Sequence, residues 1–423
     1  MLRKYFYSLC TVSLLFLSPP LLASQLAAIT LSSGNEISYS QHKAEGNTLL
    51  LWFYSEAGPQ ASDQKLAREL ARSGTEVWVI DLFSSYFLPV ALSSMDTIPA
   101  ADISDLIEIA HKKTAKNVIA VTTGRSAIPL LRGARQWQIS QPASKALSGL
   151  ILISPKFYTE TPEPGLPGKL MPVVHNSNLL LFIIQAKESP WFWKLERTVA
   201  ALQQAGSDVF LKLLAGVRDR FYFRADADAY EQQLTNHFSS ILNQAITALK
   251  QFPDKNRAVS SLALASPAVI SSKQDKSLRP HKANSTPAQL RLKSVTNQTI
   301  DLQQFKNTVV LVNFWASWCP PCVHEMPSMQ RLQNQFTEDK FVILGVNMAE
   351  EKTVIEDFLT NKVNVSFPIL MDTDGAALKR WQVFAFPTSY LIDKKGKIRY
   401  SLFGSIEWDN PHTLSIIHKL VNE

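Results

Sequence analysis

Two α/β domains joined by a linker are what this sequence predicts, and three observations predict them. The chain has 423 residues, more than a single hydrophobic core usually organises. Hydrophobic residues make up 46% and charged residues 19%, the composition of a folded rather than a disordered chain. Near-continuous apolar runs alternate with amphipathic stretches on either side of a segment rich in Ser, Ala, Lys and Pro, and such alternation marks sheets covered by helices.

In the first domain, residues 25–252, strands are expected at TLLLWFY (48–54), EVWVID (76–81), NVIAVT (117–122), GLILIS (149–154), LLLFIIQ (179–185) and DVFLKLL (208–214). Each run is apolar on both faces, as in a parallel strand covered on both sides, so a three-layer domain with a mainly parallel sheet is expected. Helical patterns such as QASDQKLARELARS and ISDLIEIAHKK lie between them. Residues 253–288 show no sustained period of 2 or 3.6 and read as a linker, with a short apolar piece at 262–270. A second α/β domain is expected over residues 289–423.

The first 24 residues have a different character. Arg3 and Lys4 precede an apolar run from Tyr5 to Phe16, Pro19 and Pro20 break it, and small residues begin at Ala23. This is the pattern of a cleaved secretory signal peptide; the prolines interrupt a run already short for about 30 Å of hydrocarbon, which argues against a membrane anchor. An extracytoplasmic, periplasm-like location is therefore expected. The net charge of +7 falls to near +5 without the leader, and no Lys/Arg patch interleaved with aromatics points to nucleic acid. Removal of the leader also removes Cys10, leaving Cys319 and Cys322 as the only thiols.

Those two cysteines lie in VVLVNFWASWCPPCVHEMPSMQRLQNQF. Residues 309–315 read as a buried strand, and Met326, Met329, Leu332 and Phe336 recur at helical spacing after it. Cys319 thus falls at or just before a helical first turn, where free N–H groups and the helix dipole favour an anion such as a thiolate. Cys322, one turn inward, can resolve a mixed disulfide, and two intervening residues let the sulfurs bond, with Pro320 and Pro321 stiffening the loop. A purely structural disulfide and half of a zinc site are the alternatives. The second pair that zinc would use is absent, and His324 and His412 lack ligand spacing, so no metal is expected.

The motifs FWASWCPPC (314–322), HEMP (324–327) and FPTSYLID (386–393), followed by KKGKI, occur in order across the second domain. On these the domain resembles the exported thioredoxin-like reductases of the TlpA/ResA type. The resemblance implies a thioredoxin-like fold, with Pro387 cis and facing the dithiol. It also implies a substrate groove formed by Trp318, Pro320, Pro321, Phe386 and Pro387. The only redox group implied is the Cys319–Cys322 disulfide itself. The partners implied are a protein with a disulfide or dithiol and a membrane-bound protein that recycles the cysteines. Thioredoxin carries a buried Asp where this chain has Asn313, which cannot take a proton. Glu325, three residues after Cys322, matches the acid that this family carries there. It reads either as the base for Cys322 or as a solvated first-turn residue complementing the helix dipole. The stretch EEKTVIEDFLTNKVNVSFPILMDTD resembles the family's additional helix and strand.

The first domain resembles the α/β-hydrolase fold through its strand order and one motif. After strand 117–122 comes Gly124-Arg125-Ser126-Ala127-Ile128, where a nucleophile elbow would read G-x-S-x-G. Ile128 replaces the last glycine. Glu188 stands where the family's acid is expected, Arg218 and Asp219 stand where its histidine region is expected, and the nearest later histidine is His237. Without a base, Ser126 would be a poor nucleophile, and a degenerate, client-binding domain is expected rather than an active hydrolase.

Overall fold

The computed structural model describes residues 25–91, 94–252, 257, 259 and 277–423. The expected leader and the apolar piece at 262–270 lie outside the described residues. Among the described residues, no helix is long and apolar enough to cross a membrane.

The first sheet has eight strands: β1 (Gln25–Thr30), β2 (Glu36–His42), β3 (Thr48–Phe53), β4 (Glu76–Asp81), β5 (Asn117–Thr123), β6 (Leu147–Ile153), β7 (Leu180–Glu188) and β8 (Asp208–Arg218). Their spatial order is β1-β2-β4-β3-β5-β6-β7-β8. From β4 to β8 neighbours run parallel, while β2 is antiparallel to both β1 and β4. The six expected strands are all present. The sheet is mixed, however, because QLAAIT and EISYSQH pair at one edge: the first is short and mostly exposed and the second alternates polar and apolar residues, so neither offers the long apolar run of a strand buried on both faces. The helices Ala61–Arg72 and Ala229–Gln251 pack on each other, as do Ala100–Thr114 and Ala127–Ser140. Capping boxes fix two of these starts, Gln60 with Asp63 and Asp228 with Glu231.

The second sheet also has eight strands: β9 (Arg279–Pro280), β10 (Arg291–Ser294), β11 (Thr299–Asp301), β12 (Val309–Trp315), β13 (Phe341–Met348), β14 (Ile369–Asp372), β15 (Thr388–Ile392) and β16 (Ile398–Phe403). Their order is β11-β10-β14-β13-β12-β15-β16-β9. The central strands β14, β13 and β12 are parallel, and β15 and β16 continue antiparallel. Every residue of β12 and β13 is buried, which explains why their apolar runs were legible. Residues 277–288, expected within the linker, run onto this sheet instead, with Arg279 and Pro280 opposite Ser401 and Tyr400. The expected extra helix and strand appear as Lys352–Asn361 and β14. The helix after the dithiol, Pro320–Gln333, stops before Phe336, whose ring packs on Phe341 and His418 beyond the helix end.

Candidate functional site

Strand β12 runs through the middle of the second sheet and delivers its C-terminal end to a turn from which the helix Pro320–Gln333 departs. Cys319 is the N-cap of that helix. Pro320 and Pro321 occupy its first two positions, where a missing N–H costs nothing. They leave Cys322 as the first residue of the helix with an N–H, and that N–H donates to the Cys319 sulfur at 3.3 Å. The arrangement favours a negative charge on Cys319 through a direct donor and the helix dipole. The two sulfurs are bonded at 2.09 Å. Cys319 retains 5% exposure and Cys322 none, so Cys319 is the cysteine of the pair open to the outside.

Glu325 is 2% exposed, which settles its position against a solvated first-turn residue. One carboxylate oxygen accepts from Asn313 Nδ2 at 2.8 Å and the other from Trp408 Nε1 at 3.0 Å. Burial pushes its carboxyl up to about 8, against the downward pull of the Trp408 and Asn313 hydrogen bonds. Asn313 also donates to Ser389 Oγ at 2.9 Å, which ties β12 to β15 beneath the dithiol. The Trp408 backbone N–H donates to Ser328 Oγ at 3.0 Å, which fastens the residue to the same helix that carries Glu325. Asn313, Trp408 and Ser389 are functional neighbours that sequence spacing missed: Trp408 reaches Glu325 across 83 positions of chain. Only the placement of Asn313 in the strand before the cysteines hinted at its contact.

Around the sulfurs, Pro320 and Pro321 are exposed, Trp318 and Phe386 are half-buried, and Pro387 is buried. The rings of Trp318 and Phe386 meet edge to face with centroids 5.7 Å apart. The Phe386–Pro387 peptide bond is cis. Glu350, on the loop after β13, accepts from the Ser317 N–H at 2.8 Å, from the Ser317 hydroxyl, and from Asn347 Nδ2 at 2.7 Å. These contacts hold the turn in front of Cys319 from the side opposite the proline segment.

The C-terminal strand ends of the first domain present a different picture. Ser126 does not stand on a strained elbow: its backbone is right-handed helical (φ −61°), the left-handed residue being Gly124 (φ +67°). Its hydroxyl is buried and has no hydrogen-bond partner among the described residues, and so it does not face solvent as a nucleophile must. Glu56, after β3, fills the space beside it. Its carboxylate accepts from Arg125 N–H at 2.9 Å, Lys156 Nζ at 3.1 Å and Arg220 Nη2 at 2.6 Å. A Cβ on Gly124 would lie 2.4 Å from that carboxylate, so glycine is required there. Burial raises the Glu56 pKa, but the Lys156 and Arg220 charges and the Arg125 N–H outweigh it and hold the group at about 2. The other expected partners have other roles, and of them Asp219 lies within the charge field of the same Lys156 and Arg220. Arg218 pairs with Glu231 and Asp226, Asp219 accepts from Ser189 Oγ at 2.9 Å, and Glu188 ends β7. His237 is exposed on the helix Ala229–Gln251, its ring hydrogen-bonded to the Gln233 carbonyl. The chain thus brings together Cys319, Cys322, Trp318, Phe386 and Pro387 in one place, and among the described residues it assembles no serine triad around Ser126.

Residues 284–401 match the AhpC/TSA family. The thiol-disulfide oxidoreductase ResA of Bacillus subtilis (strain 168) is 32% identical over 131 residues, covering 31% of this chain and 69% of that protein. Sporulation thiol-disulfide oxidoreductase A of the same organism is 32% identical over 127 residues, covering 29% of this chain and 75% of that protein. The crystal structure of StoA from Bacillus subtilis aligns at 27% identity with a TM-score of 0.28, over 33% of this chain and 99% of that one.

Proposed function

Since the chain belongs, through its C-terminal region, to the thioredoxin-like thiol–disulfide oxidoreductases, we propose that it is an exported reductase of protein disulfides. The observation that carries this reading is the Cys319 sulfur at the helix start, accepting the Cys322 N–H while Cys322 lies closed off behind it.

In the reduced protein, the Cys319 thiolate attacks one sulfur of a substrate disulfide. That S–S bond breaks, a mixed disulfide forms, and the departing substrate thiolate takes a proton. Cys322 then loses its proton, attacks Cys319, and releases the second substrate thiol. The cysteines end as the disulfide, and two electrons have passed to the substrate. Glu325 is the group assigned to receive the Cys322 proton. A carboxyl at about 8 is close to the ordinary thiol value of about 8.5, so transfer between them is nearly balanced in energy. Trp318, Pro320, Pro321, Phe386 and Pro387 border the place where the substrate chain would lie. The reductive direction rests on likeness to ResA-type proteins and requires an external, membrane-bound dithiol partner to restore the cysteines. Export rests on the leader pattern in residues 1–24.

The strand order of the first domain, with its antiparallel second strand, supports a hydrolase-like ancestry. The ion cluster on Glu56 argues against hydrolysis and for a binding or scaffolding role. The test of the whole reading is trapping. Cys322→Ser protein, expressed with its leader, should accumulate mixed disulfides through Cys319, and their absence, with undiminished disulfide reduction by Cys319→Ser protein, would sink it.

A further inference from the structure

Phe384 belongs by sequence to the second domain, yet its side chain is buried in the core of the first. Its ring stands edge-on to Tyr158 at 5.0 Å and to Trp191 at 5.4 Å between centroids. Lys194 Nζ lies 4.5 Å from the ring centre and donates to the neighbouring Val383 carbonyl at 3.4 Å. Gly168 makes room on the remaining side: a Cβ there would come within 2.3 Å of the Phe384 ring and 2.8 Å of Tyr158. Trp381 and Val383, by contrast, are buried in the second core, and Phe386 rests on Trp318, the residue before Cys319. One short segment, 381–387, is therefore pinned in both cores and ends against the dithiol turn.

Further contacts lie around this one. Trp193 packs where a Cβ on Gly375 would be only 2.4 Å away, and Lys379 pairs with Glu196 at 3.7 Å. Glu188, at the end of β7, feels the charge of Glu350, the carboxylate that holds Ser317. The first domain thus packs on the stretch from Gly375 to Phe384 that leads into the dithiol turn, and its Glu188 lies within the charge field of Glu350 on the other side.

We propose that Phe384 is a positioning residue, through which the first domain sets the Phe386 and Pro387 wall of the groove beside Cys319, so that the intact chain selects extended protein disulfides over small ones. This rests on the reading of the second domain as a disulfide reductase. The inserted ring fixes the wall without touching the sulfurs. Its loss should weaken docking of a chain that lies along the wall and spare a small disulfide that needs only access to Cys319.

The test uses the full chain, pre-reduced and freed of reductant, so that a single turnover needs no recycling partner. Oxidation by insulin and by hydroxyethyl disulfide is followed in wild type, Phe384→Ala, Phe384→Leu and Gly168→Ala, the last acting as a wedge from the first domain's side. For insulin, Phe384→Ala and Gly168→Ala should raise the half-saturating concentration roughly tenfold with little change in limiting rate. Phe384→Leu should recover part of the loss. The second-order rate with hydroxyethyl disulfide should stay within about twofold of wild type in all, which also reports an intact dithiol. Unchanged insulin saturation in both Phe384→Ala and Gly168→Ala would overturn the proposal, as would parallel losses toward both substrates, which mark a merely structural residue. Wild-type protein inert toward both substrates would instead overturn the reductase reading, and the proposal with it.

Discussion

Replacing Glu325 with Gln in the oxidised protein, whose bonded cysteines do not titrate, isolates one buried proton. Burial holds this carboxyl at about 8 against its ordinary 4.5. Between those values the folded protein keeps a proton that the unfolded chain releases. The sign follows: stability is greatest below 4.5 and is lost as pH rises through 8. From pH 5 to pH 8 the loss is on the order of 3 kcal/mol. Gln cannot ionise and escapes this loss. It carries a separate, pH-independent cost, because its amide oxygen can accept from Asn313 or Trp408 while its NH2 faces the other donor, about 1–3 kcal/mol. The offset between the two proteins therefore measures the hydrogen bond, and the change of that offset with pH measures the ionisation. Guanidinium unfolding of both proteins at pH 5 and pH 8 should show the variant gaining about 3 kcal/mol on wild type across the interval. A constant offset would mean that folding does not raise the carboxyl's proton affinity, leaving it too weak a base to balance a thiol near its ordinary value of about 8.5, and would remove Glu325 as the proton acceptor for Cys322.

Cys319→Ser should abolish disulfide reduction, whereas Cys322→Ser should complete one covalent encounter and stop, as read by mass spectrometry of the product. Ser126→Ala removes a buried hydroxyl that has no hydrogen-bond partner among the described residues, so stability should hold or rise by up to about 1 kcal/mol and no serine-directed phosphonate should label the wild type. Stoichiometric labelling lost in the variant would contradict this. Glu56→Gln leaves Lys156 and Arg220 without their shared carboxylate and should cost the first domain about 3 kcal/mol near neutral pH. Because the wild-type group is held at about 2, its contribution is full above 4.5 and fades as pH falls toward 2, so the deficit should shrink in acid; an equal deficit at both would refute the ion cluster.

What was legible in the sequence follows from which residues are buried on both faces. Strands such as LLLWF and VVLVNFW sit between helix layers, and their apolar runs name them directly. β1 is short and mostly exposed, β2 alternates polar and apolar residues, and β9 is only two residues long, so none announces itself. At the dithiol, Cys319, Cys322 and Glu325 share one turn and a half of helix, and helical spacing sufficed to group them. Trp408 and Ser389 come from distant elements, and nothing in their local sequence points to a carboxylate. The surroundings of Ser126 were hidden for a related reason: its motif is local, but the Glu56 carboxylate that accepts from the adjacent Arg125 N–H comes from 69 positions before Arg125. Phe384 reads as an ordinary core residue of the second domain, and only the approach of Tyr158 and Trp191 assigns it to the first.

The hydrogen bond from Trp408 to Glu325 also gives the protein an internal pH indicator. An indole N–H that donates to a carboxyl changes its magnetic shielding when that carboxyl gains or loses a proton. Trp78 and Trp137 donate to Glu76 and Glu108 in the same way, but both carboxyls are held below their ordinary range, so their signals stay flat through neutral pH. The Trp408 resonance instead moves as Glu325 titrates near 8, while that of Trp52, beside Asp63 raised to about 7, moves with the first domain. Nitrogen-labelled tryptophan would therefore report proton occupancy in each domain separately, in the working protein and during turnover, without any added probe.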